Sequence, residues 1–166
     1  MRNAIDGLLF CWRKNLDYAQ KLVADLDEAQ MTLQPAADGT APSNHPAWVL
    51  SHLNVYIPLI SSIIAGEEFE DPKEHQFGMT SKPEADASIY APKAELIGAY
   101  VEGHEKVIAQ LEAADDSVLA NEVKLPRWAS VMPTAGVALP YLMLNHENGH
   151  LGQVSAWRRI QGMPSV

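Results

Sequence analysis

The segment NHENGH, residues 145–150, places two histidines four positions apart around a glutamate. On a helix of 3.6 residues per turn, His146 and His150 project from one face, roughly 40° apart about the axis and one turn apart along it. Two neutral imidazoles so placed can bind one divalent ion. H-E-x-x-H is also the pattern of zinc hydrolases, in which the glutamate acts as the base. That layout needs a third ligand, which normally follows in the chain. Only LGQVSAWRRIQGMPSV follows here, without a His, Asp, Glu or Cys. The third ligand has to come from upstream.

His52 is the first candidate. Its helical neighbours Trp48, Val49, Val55 and Tyr56 form an apolar stripe, so its imidazole faces inward, where an unpartnered polar group is costly. His104 is a second candidate by the same argument. His45 shares the face of His52 but lies roughly 10 Å away along the axis, too far to share an ion with it. His75 sits in a polar stretch and reads as solvated. Glu147 is about 100° around the helix from His146; a solvent-facing side chain or an acceptor behind the ligands is the plainer reading, a catalytic base the sharper one. Gln153 can orient a ligand imidazole or a bound molecule, or simply join two helices. Trp48, Tyr56, Met143 and Trp157 share the ligands' stripes, as pocket wall or as core. Glu147, Gln153 and Tyr56 are thus the candidate catalytic residues, and His52, His146 and His150 the candidate metal ligands.

These side chains need helices to hold them, and helical periodicity recurs along the chain between Pro, Gly and Asp punctuation. The first helix is expected from about Asn3 to Leu26. The loop QPAADGTAPSN follows. The second helix runs from Pro46 to Ala65–Gly66, with Pro58 expected to kink it. A long polar connection through residues 67–90 then crosses the fold or serves function. The third helix starts near Pro92. The fourth runs from Thr134 or Leu139 to Gln161, with Arg158 and Arg159 near its negative end and Gly162 and Pro164 beyond it. No run of alternating strands is visible. The expected fold is all-α, an antiparallel four-helix bundle with long crossover loops, in a single domain over residues 1–166.

Composition narrows the function. An apolar share of 47% fits a folded globule. The net charge of −9 leaves no basic stripe, which argues against nucleic acid as a partner. The single cysteine, Cys11, excludes an internal disulfide and a multi-cysteine zinc site, and its LLFCW setting suggests a buried thiol. The N-terminal apolar run is too short for a signal peptide or a membrane span. A soluble, cytoplasmic protein with no membrane partner is expected.

HPAWVLSHLNVY, followed far downstream by LNHENGHLGQ, resembles the DinB-like superfamily, the DinB/YfiT group of metal-binding four-helix bundles. The residues carrying the resemblance are Trp48, His52, His146, His150, Gly152 and Gln153, and the lead into the second helix, GTAPSNHPAWVLSHL, has the family's look. Leu151 departs from it, standing where the family often has Arg. The resemblance implies a three-histidine site for Zn²⁺, Ni²⁺ or a similar ion. It also implies an enzyme that uses a low-molecular-weight thiol, for S-transfer or isomerisation, and it allows a homodimer. A non-catalytic metal-stabilised bundle that binds a small molecule or a protein is the alternative reading, and a metal-dependent hydrolase a further one. Three neutral ligands leave the ion its full charge and an open position, which suits catalysis better than a closed structural site.

Overall fold

The computed structural model describes residues 3–34 and 43–166. Most of the loop after the first helix, including the GTAP of the family-like lead, lies outside the described residues. All four expected helices form. Helix α1 spans Asn3–Val23 and is followed by the single turn α2, Glu28–Met31. The chain leaves α1 three residues earlier than its apolar stripe suggests, because Asp27 caps α2 through a reciprocal bond pair with Gln30. Helix α3 is Pro46–Ala65, α4 is Lys93–Ala113 and α5 is the short Pro126–Ala129. Helix α6, Ala135–Pro140, passes through a π-helical segment, Tyr141–His146, into α7, Glu147–Ile160. Among the described residues there is one isolated bridge, Glu122 to Thr134, and no strand, so the fold is all-α.

Side-chain contacts give the directions of the long helices. Lys93 Nζ, at the start of α4, donates to Ala24 O at 3.2 Å beyond the end of α1, while Arg13 pairs with Glu112 at the other end. Helices α1 and α4 are therefore antiparallel. Asn44 Nδ2 to Gln153 Oε1 at 2.8 Å, and His52 beside His146, make α3 and α7 antiparallel as well. Asn54 meets Leu96 and Ser61 meets Gln110, so α3 and α4 run parallel. Asn15 meets Met143 and Arg158 meets Leu22, so α1 and α7 do too. This up-down-down-up order requires the long crossover between α3 and α4, since parallel neighbours cannot be joined by a short turn.

Helix α3 is long and apolar enough to cross a membrane, but 78% of that stretch is buried by the rest of the protein. Its Leu50, Leu53, Ile57, Ile60 and Ile63 belong to the core, each such side chain contributing about 1.5–3 kcal/mol when fully buried. Pro58 lies on its exposed side, where a missing donor faces water, and the helix continues through it. Gly66, at φ 67°, ends α3 in the left-handed conformation that glycine adopts without strain. Gly103 allows close approach of α4, since a Cβ there would meet Ile57 Cγ2 at 2.6 Å. Cys11 is only half-buried, because Leu8, Leu9 and Trp12 occupy the inner face of α1 and residue 11 falls beside it.

Candidate metal centre

His52 stands on α3, His146 closes the π segment and His150 follows one turn into α7. One ligand atom from each lies within 4.8 Å of the other two. His52 Nε2 and His146 Nε2 are 3.0 Å apart. Donors around a tetrahedral ion, with bonds of about 2.0–2.1 Å, sit roughly 3.3 Å from one another. The His52–His146 pair is at the spacing of two such ligands, and the third imidazole is near enough for the group to hold a divalent ion.

The outer nitrogens of His52 and His150 are fixed. His52 Nδ1 donates to Phe77 O at 2.7 Å, and His150 Nδ1 donates to Gln153 Oε1 at 2.9 Å, which also accepts from Asn44. Each bond selects the tautomer whose Nε2 carries a free lone pair toward the cluster. Burial, followed by the neighbouring His150, depresses His52 to about 4; burial, then His150 and His52, depresses His146 to about 3. His150 is also lowered by burial, with Gln153 opposing. All three rings are neutral near pH 7, as metal ligands must be. The ring of Trp48 stacks on His52 with centroids 4.8 Å apart, and Tyr56 lies 4.7 Å from His52 and 4.8 Å from His146.

The other histidines lie elsewhere. His45 caps α3, accepting from Trp48 N at 3.2 Å through Nδ1 and donating from Nε2 to Glu84 O at 3.0 Å. His75 is exposed on the crossover. His104 is fully buried on the far side of α7, stacked on Trp12. Glu147 joins it there. Rather than facing solvent it is 2% exposed, and its carboxylate accepts from Tyr100 Oη, from His104 Nε2 at 2.7 Å and from Asn15 Nδ2 at 3.0 Å.

Above the three histidines opens a pocket of about 820 Å³. Trp48 and Tyr56 line it. Met143 and Trp157 are core residues instead, with Trp157 Nε1 donating to Leu33 O at 2.7 Å. The remaining wall comes from Met79 on the crossover, Arg127 and Trp128 on α5, Val131 and Met132 after it, Val137 on α6, and Tyr141 and Leu142 in the π segment. The sequence pattern puts Met79, Arg127, Trp128, Val131 and Met132 in irregular connections, where the signal is a tryptophan and methionines in stretches otherwise rich in polar residues and proline. The π segment was likewise missed, although Pro140 inside a helical pattern marked it. There Glu147 N–H bonds Leu142 O, five residues back, and such turns recur at functional sites.

The fold is an all-α bundle in which three imidazoles from two helices converge at the floor of an open pocket, a group that could hold a divalent ion. The family model of the DinB superfamily matches residues 12–154, and the chain belongs to that superfamily. No curated protein and no solved structure matches the chain.

Proposed function

We propose that this protein is a metal-dependent enzyme that activates a low-molecular-weight thiol for S-transfer or isomerisation of a small molecule. His52, His146 and His150 would hold the ion, Zn²⁺ or Ni²⁺. Bound there by three neutral ligands, a divalent ion supplies charge that makes a coordinated thiol a thiolate, or a water more acidic, near neutral pH. The observation that carries this reading is the opening of the histidine cluster onto the large apolar pocket. A closed structural site would need a fourth protein ligand, and His104 is engaged elsewhere.

The chain's own residues have distinct tasks in this reading. Phe77 O and Gln153 hold the outer nitrogens of His52 and His150, so the inner lone pairs converge. Trp48, Trp128, Met132 and Val137 keep the space above them apolar, which strengthens electrostatic interactions there. Burial raises Tyr56 above its ordinary value, leaving its hydroxyl protonated near neutral pH. That hydroxyl makes no hydrogen bond to a described residue, so it is the donor on hand for a molecule in the pocket. Hydrolysis is the weaker variant, because the carboxylate of Glu147 is engaged by three donors behind the site. The setting that suits this chemistry is the cytoplasm, where thiols stay reduced; its partners are the small molecule, the thiol and a second copy of the chain, without nucleic acid.

Metal analysis of the purified protein, followed by a screen of thiols against electrophiles with His52→Ala as control, tests the proposal. One equivalent of ion and thiol-dependent turnover lost in His52→Ala is expected. Stoichiometric metal with no turnover of any thiol pair would favour a non-catalytic bundle.

A further inference from the structure

Among the described residues lining the pocket, one carries a fixed positive charge: Arg127. Its guanidinium is already committed. Nε donates to Asp71 Oδ2 at 2.8 Å and Nη2 donates to Asp71 Oδ1, a bidentate fork. Each partner is anchored a second time. Asp71 Oδ1 accepts from Lys73 N at 2.9 Å and caps the turn Pro72–Glu74. Arg127 lies over the Trp128 ring, 5.6 Å from its centroid, and points Nη1 at Met79 Sδ. The hydrogen bonds of the pair hold Asp71 below the usual carboxylate range and Arg127 above its own ordinary value, so both stay ionised. The ion pair thus spans from the crossover to α5 at the pocket, and its charges cancel.

Above the imidazoles, what remains of the wall is aromatic, thioether and aliphatic, with neutral hydroxyls on Tyr56 and Tyr141 and no further charge among the described residues. An anion entering would lose water and find no uncommitted cation along the described wall, on a chain of net charge −9. We propose that the Asp71–Arg127 pair cancels the one side-chain positive charge among the described residues lining the pocket and so makes the wall beyond the ion select uncharged apolar groups, aromatic or alkyl, over those bearing a carboxylate, sulfonate or phosphate. Asp71 is then the specificity-determining residue. Without it, the same wall would present a guanidinium fork shaped to bind a carboxylate. This rests on the reading of the pocket as the ligand space of the three-histidine centre.

A matched pair of probes tests it: thiophenol and 4-mercaptobenzoate, which differ by one carboxylate. Each is titrated into Co²⁺-loaded protein, with binding read from the thiolate-to-cobalt absorption. The parent should bind thiophenol at least about tenfold more tightly, the cost of placing an uncompensated charge against an apolar wall. Asp71→Asn should strengthen 4-mercaptobenzoate and shrink or invert that ratio, whereas Arg127→Gln should widen it by leaving Asp71 uncovered. The opposite signs separate charge selection from general loosening of the wall. A parent that prefers 4-mercaptobenzoate, and loses the preference in Arg127→Gln, would show Arg127 to be an anion receptor and overturn the inference. An unchanged ratio in Asp71→Asn would overturn it too. Failure of the parent to take up cobalt would instead sink the metal reading. Toluene and benzoate, followed through quenching of Trp48 and Trp128 fluorescence, then decide the selectivity without an ion, with benzoate binding as tightly as toluene counting against it.

Discussion

His146 and Glu147 are neighbours in the chain, yet they belong to two opposite kinds of polar cluster. Glu147 turns into the space between α1, α4 and α7. There Asn15, Tyr100, His104 and Glu147 are all at most 6% exposed and bonded to one another: His104 Nδ1 donates to Tyr100 O at 2.9 Å, and Asn15 Nδ2 serves both Glu147 and Met143 O. His104 stacks on Trp12 with centroids 3.9 Å apart. His146 turns the other way, toward His52, His150 and the pocket, where the inner nitrogens meet only one another. A satisfied buried network makes one packing unique; an unsatisfied cluster at an open pocket is a place for a ligand. The same helix carries both because adjacent residues diverge by about 100°.

The largest expected effect concerns the open cluster. His52→Ala, His146→Ala and His150→Ala should each lose most of their metal on dialysis near neutral pH, a loss beyond the roughly 10–100-fold that removing an outer hydrogen-bond partner costs. Glu147→Gln should keep its metal. If His52→Ala retains metal while the other two lose it, the third ligand has been misassigned.

The closed network should answer in stability instead. Glu147→Ala strands three buried donors and should cost about 3–5 kcal/mol, read from denaturant unfolding of the metal-free protein. Glu147→Gln, which keeps the shape, should cost less. A change below ~1 kcal/mol for Glu147→Ala would mean that the network is not rigidly formed.

Gln153 sharpens the contrast from the metal side. Gln153→Ala removes the acceptor that orients His150 and should weaken metal binding roughly tenfold, with little change in melting temperature, since Gln153 is exposed. Equal losses of affinity and stability would make it a structural contact between helices.

The smallest effect is a control. His45 has both nitrogens engaged by backbone, so His45→Asn should leave metal content unchanged. Burial lowers its folded pKa below 6.5, opposed by backbone contacts at Glu84 and Met31. Its cap is therefore intact above about pH 6.5 and is lost as pH falls through the depressed folded value. Asn caps without titrating, so the variant should lose up to ~1 kcal/mol less stability than the parent on acidification. Identical pH profiles for the two would remove the cap from the account.

Much of this was legible in the chain. Helix spans follow from local periodicity and punctuation, and they form where expected to within a few residues. His52 stood out because an imidazole on the stripe of Trp48, Val49 and Tyr56 calls for a partner, and the fourth helix offered two. Asn15 on the stripe of Trp12 carried the same signal for the closed network, but its partners could not be read, since Asn15, Tyr100 and Glu147 come from three helices.

Residue types and local spacing alone determined that this chain is helical and acidic and that its histidines can share an ion, because periodicity, charge and ligand spacing are properties of short stretches. Tertiary structure decided which way Glu147 faces, how the crossover brings Phe77 O to His52, and that Asp71 reaches Arg127. Each of those depends on how distant segments dock. A five-residue step in the π segment, or a parallel rather than antiparallel neighbour, redirects side chains without altering the local pattern that specifies each helix.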